Sequence, residues 1–218
     1  MKLSKDTVNL FKNFAGINSN MLLKAGNEIS TISAQKNVMS DTIVTEQFPI
    51  DFGIYDLNEF LGALSLFNDP DLEFAEKFVT IKENGSSIKY FAADASVLTV
   101  PSRKITFPEA EIEFTLTSTM LNMIHRTASV LRATDLQIIG DGSKIVVAVG
   151  DKKNVTGNSY NAHVGSTDKT FQANLKVENL KMLPGDYIVS ISSKKISRFK
   201  ASTSELVYYV AVEADSSF

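Results

Sequence analysis

The chain has 218 residues, 44% hydrophobic and 22% charged, with a formal net charge of −3 and no cysteine. That length holds one extended core or two domains of about 100 residues, and the composition excludes a disordered chain. Lack of cysteine removes disulfides, thiolate metal sites and cysteine nucleophiles together. No apolar run approaches the roughly 20 residues needed to cross a bilayer, so no membrane partner is expected. The first residues lead into an amphipathic pattern in place of a signal peptide, and a cytoplasmic location is expected.

In chain order, apolar spacing predicts a helix over residues 3–15. Alternating segments 21–24 and 28–33 follow, with Ala25-Gly26-Asn27 between them, and read as a hairpin. An extended stretch covers 38–46, then a strand at 52–55 runs into a short helix at 57–66. Strands 78–82 and 88–91 flank the turn pair Asn84-Gly85. Residues 94–108 lack helical periodicity and contain Pro101 and Pro108, which suits an extended connector. A second helix is predicted over 116–132, then a hairpin of 136–139 and 144–149 around Gly140-Asp141-Gly142-Ser143. An extended stretch at 160–164 precedes a strand at 171–175 and a short helix at 177–183, stopped by Pro184-Gly185. Strands at 187–192, 196–200 and 206–212 close the chain. The order of elements is thus stated twice, which divides the chain into residues 1–93, a connector at 94–108, and residues 109–218.

Positive charge is concentrated in the two long helices. Residues 1–15 carry Lys2, Lys5 and Lys12 against Asp6, a net of +2; residues 115–134 carry Arg126 and Arg132 with no carboxylate, another +2. With a total of −3, everything else sums to −7. On the first helix Val8, Phe11, Phe14 and Ala15 are placed inward, and Lys5, Asn9 and Lys12 recur on the opposite face. On the second, Met120, Ile124, Thr127, Ala128 and Leu131 are placed inward. Ser118, Asn122, His125, Ser129 and Arg132 are placed outward, with Arg126 on the flank. An ordinary solvated face mixes signs, because acid–base pairs one turn apart add helix stability. Two stripes without such pairs, at matching points of a repeat, point to contact with a polyanion through its phosphates.

Catalysis finds no support. The sequence has no phosphate-binding loop, dinucleotide glycine fingerprint, nucleophile elbow or paired-histidine zinc motif. Its two histidines, His125 and His163, lie far apart and have no cysteine to join them. Carboxylates cluster at Asp69 and Asp71, at Glu109, Glu111 and Glu113, and at Glu213 and Asp215, and are expected to be solvated. No catalytic residue, metal site or cofactor is assigned.

Several blocks carry a resemblance to one family. They are residues 1–7, Lys-Asn-Phe-Ala-Gly-Ile-Asn-Ser at 12–19, Ile-Tyr-Asp-Leu-Asn-Glu-Phe-Leu-Gly-Ala-Leu-Ser-Leu at 54–66, and Ala92-Ala93-Asp94. Phe107-Pro108, Met182 with Pro184-Gly185, and residues 209–216 complete the set. In this order they resemble the sliding clamps of T-even-type bacteriophages. Residues 34–46 and 150–169 carry little of the likeness.

The resemblance implies an α+β DNA-clamp fold of two similar domains, each with two helices packed on antiparallel sheets, assembling as a homotrimeric ring around duplex DNA. It implies a DNA polymerase processivity factor that tethers the replicative polymerase, is opened by an ATP-driven clamp loader, and works in the infected bacterial host. Late-transcription factors are further implied partners. The long helices would line the hole, so Lys2, Lys5, Asn9, Lys12, Asn122, His125, Arg126, Ser129 and Arg132 are expected to face DNA. The family pattern has another basic residue about a turn past Arg126, where this sequence has Ser129; Lys176 and Lys181 are therefore expected to share the contact. Apolar partner peptides would dock near the connector, with Val97, Leu98, Val100, Ile105, Phe107 and Val212 as pocket residues. Ring closure is expected to pair residues 87–91 with residues 158–164 of the next copy. Two competing readings remain at this point: a monomeric processivity factor held by charge alone, and a structural virion protein.

Overall fold

The computed structural model describes residues 1–154 and 156–218. The chain divides into two compact units, Met1–Lys104 and Ile105–Phe218.

The first unit opens with α1 (Lys5–Ile17), whose N-cap Ser4 accepts a hydrogen bond from the Thr7 amide at 3.2 Å. Strands β1 (Met21–Leu23), β2 (Gly26–Ile32), β3 (Val38–Phe48) and β4 (Phe52–Ile54) follow. Helix α2 (Leu57–Ser65) starts at Asp56, whose carboxylate accepts from the amides of Asn58 and Glu59 at 2.9 and 3.2 Å. Strands β5 (Asp71–Phe74), β6 (Phe78–Glu83) and β7 (Ser86–Phe91) form an antiparallel sheet in that order. Phe11 and Phe14 of α1, Phe60 of α2, and Phe52 and Ile54 of β4 are almost fully excluded from solvent and fill the core.

The expected hairpin at 21–33 does not form. β1 pairs antiparallel with β4, Met21 opposite Ile54, while β2 pairs with β3. The Ala25 amide donates to the Asp51 carboxylate at 2.8 Å, and Gly26 has φ +111°, so the chain turns out of β1 before a ladder with β2 can start.

The second unit begins with β8 (Ile112–Leu116), which leads into α3 (Ser118–Leu131) through the N-cap Thr117. Arg132 ends the helix in the left-handed region, φ 52°, with the Ala133 amide donating back to the Ala128 carbonyl. Strands β9 (Asp135–Asp141), β10 (Lys144–Gly150), β11 (Tyr160–Ser166) and β12 (Thr170–Lys176) form one sheet in the order β11-β10-β9-β12. Here the expected hairpin is present: the Asp141 carboxylate accepts from the Ser143 and Lys144 amides at 3.0 and 2.9 Å, and Gly142 supplies φ +85°. Strands β13 (Tyr187–Ser192), β14 (Ile196–Ala201) and β15 (Val207–Ala211) lie in the order β15-β14-β13-β8. The last residues return to β12, where Gln172 and Ser217 exchange two backbone hydrogen bonds of 2.9 Å.

The helix expected at 177–183 is reduced to a single 3-10 turn, Val177–Asn179. Its N-cap Lys176 makes no side-chain capping bond. Downstream, the Leu183 peptide is held by two buried phenols: its carbonyl accepts from Tyr187 at 2.6 Å, and its amide donates to Tyr208 at 3.2 Å. Burial pushes the Tyr208 hydroxyl up to about 12. These contacts fix the segment in a non-helical path.

Candidate nucleic-acid interface

Helix α1 turns Thr7, Leu10, Phe11, Phe14 and Ile17 into the core. Val8 and Ala15, expected inward, are half-buried at the flanks. Lys5, Asn9 and Lys12 are exposed on the opposite side, one turn apart. Glu46 of β3 fixes the start of the helix: its two carboxylate oxygens accept from the Ser4 amide at 2.5 Å and the Thr7 hydroxyl at 2.7 Å. Burial alone would raise the Glu46 pKa, but these hydrogen bonds outweigh it and hold the group below its ordinary value.

Helix α3 buries Leu121, Ile124 and Ala128, with Met120, Thr127 and Leu131 half-buried beside them. The inward face is therefore rotated from the expected one. Thr119, Asn122, Met123, Arg126, Ser129 and Val130 are exposed, which sets Arg126 near the middle of the solvent face instead of its flank. Arg132 is exposed at the cap. Ser118 is half-buried. His125 is half-buried too, hydrogen-bonded to the Leu180 backbone, and burial lowers its pKa, so it brings no positive charge at neutral pH. It lines a groove of about 480 Å³ with Ser129, Ala133, Thr134, Lys176 and Glu178.

Two expected DNA-facing cations are already occupied. Lys2 is paired with Asp69. Lys176 donates to Asp135 at 2.6 Å, and that carboxylate is 3% exposed. A lysine tied to a buried acid cannot be spent on a phosphate without uncovering the acid. Lys181 is exposed. Lys5, Lys12, Arg126 and Arg132 form no ion pair among the described residues, so the two long helices, with the Arg132 cap, offer four unpaired cations per chain.

Of the expected peptide-pocket residues, Val97, Leu98 and Val100 belong to the first unit. Val97 is 57% exposed at the end of a 3-10 turn capped by Asp94. Leu98 packs beside Gly53, where an added Cβ would lie 3.0 Å from Leu98 Cδ1 and 2.2 Å from the Ala93 carbonyl oxygen. Asn18 and Asn20 pin this segment through both backbone groups of Thr99, at 2.7 and 3.1 Å. In the second unit Ile105 and Phe107 are half-buried, and the Arg198 guanidinium sits 4.7 Å from the Phe107 ring centre. Val212 is 5% exposed and is a core residue, a correction to its expected place in a surface pocket.

The segments expected to close a ring are both sheet edges. Among the described residues, 87–91 lie in β7, which pairs with β6 alone, and 160–164 lie in β11, which pairs with β10 alone. The acids expected to be solvated at 109–113 are partly engaged: Glu111 accepts from the Ser193 amide and hydroxyl at 2.8 and 2.6 Å, and Glu113 from the Ser190 hydroxyl at 3.2 Å.

Helices over antiparallel sheets, repeated in element order, with unpaired cations on each long helix, define the architecture of a DNA clamp. A PCNA structure from A. fulgidus, solved with the C-terminal region of FEN-1 bound, superposes with a TM-score of 0.68 at 11% identity, over 95% of each chain. Residues 4–100 match the family described as DNA polymerase processivity factor, and residues 110–214 match the C-terminal domain of the gp45 sliding clamp. The sliding clamp of Enterobacteria phage T4 is 35% identical over 99% of this chain and 98% of its own length. That of Vibrio phage KVP40 is 32% identical over 98% and 100%. The chain belongs to the bacteriophage sliding-clamp family of DNA polymerase processivity factors.

Proposed function

We propose that the chain acts as a non-catalytic homotrimeric ring that encircles duplex DNA without reading its sequence and tethers the replicative polymerase. The observation that carries this reading is the pair of long helices whose exposed cations, Lys5 and Lys12 on α1 and Arg126 with Arg132 on α3, have no acidic partner among the described residues. Asn9, Asn122 and Ser129 stand beside them as neutral hydrogen-bonding groups for phosphate oxygens. Three copies bring 3 × 4 = 12 such cations to one duplex. Four charges on a single chain would hold DNA weakly and lose it as salt rises, whereas a closed ring holds by topology and needs only loose contact.

Ring closure is head-to-tail, with the β7 edge of one copy meeting the β11 edge of the next. An ATP-driven loader opens the ring. Short apolar peptides of the polymerase, and of late-transcription factors, dock near the connector. The setting is the cytoplasm of the infected bacterium. The domains are residues 1–93 and 109–218, joined by 94–108.

Sedimentation equilibrium tests the assembly. A species of three times 23.9 kDa is expected. One 23.9 kDa species at every concentration, with steeply salt-sensitive DNA binding, would favour a monomer held by charge alone.

A further inference from the structure

Two aliphatic side chains stand in solvent on α3, on the face that carries its unpaired arginine. Val130 is 80% exposed and Met123 38%. They are seven residues apart, so two helical turns stack them on one side about 10 Å apart, with Arg126 between them and Thr119 one turn further toward the N-terminus. The exposed side of α1 has no counterpart, being formed by Lys5, Asp6, Asn9, Lys12 and Gly16. Valine is also an inferior choice for an exposed helix position, where a straight-chain polar residue costs less side-chain freedom. α3 contains no carboxylate, which leaves its exposed face compatible with a polyanion along its whole length.

We propose that Met123 and Val130 are neutral contact residues for duplex DNA, resting against the sugar edges between phosphates and limiting the charge-mediated grip of α3. The inference depends on the clamp reading above. A lysine or arginine that neutralises a phosphate displaces a counterion, and that contact must break before the protein can advance along the duplex. An aliphatic group against deoxyribose C–H excludes water but fixes no phosphate, so it supports the helix against DNA without adding a step to be broken. Replacing either residue by a cation would tighten binding and slow movement.

The test uses the full chain with Val130→Lys and the double variant M123K/V130K. Val130 is exposed enough that a lysine there leaves the core untouched. Equilibrium binding to linear duplex is measured across salt, together with diffusion of the loaded protein along DNA. Each lysine that reaches a phosphate is expected to steepen the slope of log K against log salt by about 0.9, roughly a further 3-fold loss of binding between 50 and 200 mM salt, and by about 2.7, roughly 40-fold, when all three copies of a ring engage. Diffusion at low salt should slow in parallel. K5E/K12E is measured alongside and is expected to flatten the slope. If K5E/K12E flattens it while V130K leaves slope and diffusion unchanged, the aliphatic contact is wrong and the clamp reading stands. If neither variant moves the slope, the clamp reading fails with it. A change in solution mass in V130K would place this face against another copy of the chain and overturn the proposal.

Discussion

Asp135, at the start of β9, is a buried carboxylate. It is 2% exposed and accepts from Lys176 at 2.6 Å and from the Thr134 hydroxyl at 2.9 Å, with Lys152 Nζ at 4.0 Å. Burial pushes its pKa up, but the hydrogen bonds and charge of these partners outweigh that and hold it below its ordinary 3.8. Its contribution is therefore complete above the unfolded-state value and is lost as pH falls through the lower folded value. Asp135→Asn leaves Lys176 without its countercharge, while Lys152 keeps Asp215 at 2.7 Å, at a cost of about 3 kcal/mol and a melting temperature lower by roughly 10 °C at pH 7. The gap between wild type and variant should close as the pH is taken below 3.8; thermal melts across pH check this, and a gap that is constant with pH would contradict it. The pairing also explains why Lys176 was misread from sequence. Its partner lies 41 residues away, and only the β9–β12 register brings the two together. Val212 was misread for a related reason, because an apolar residue near a chain end carries no mark of which way it faces.

At the scale of elements, the exposed stripe of α1 depends on how the helix is anchored. Glu46 reaches from β3 to the Ser4 amide and the Thr7 hydroxyl, adding to the Ser4 cap. Glu46→Ala is expected to cost about 1–3 kcal/mol and to speed amide hydrogen exchange in the first turn of α1, where Lys5 sits. Unchanged exchange there would show that the carboxylate is not an anchor. Both long helices were legible within two or three residues, because their 3.6-residue apolar spacing is strong. The orientation of α3 was not: Met120, Thr127 and Leu131, placed inward, are half-buried, whereas Leu121, left out of that face, is 1% exposed. Strand β8 was missed although it alternates strictly between buried and exposed, since its outward Glu113, with Glu109 and Glu111 just before the strand, read as an acidic cluster. The false hairpin at 21–33 had a turn glycine but lacked an Asp141-like side chain to close the turn. Pairing partners of short strands are set by tertiary contacts, and β1 found β4.

For the whole molecule, the repeat was the feature that sequence order carried best. A long helix, four strands, a short helical segment and three strands occur in each unit, with the second segment shrunk to one 3-10 turn. The pairing repeats as well: β1 with β4 corresponds to β9 with β12, and β2 with β3 to β10 with β11. What one chain leaves open is closure, since among the described residues β7 and β11 each keep an unpaired edge. A ring held by topology makes a demand that no charge-held protein meets. After ATP-driven loading, the clamp should stay on closed circular DNA at salt concentrations that abolish binding to linear duplex, and it should be lost when the circle is cut. Equal retention on linear and circular DNA would contradict the account.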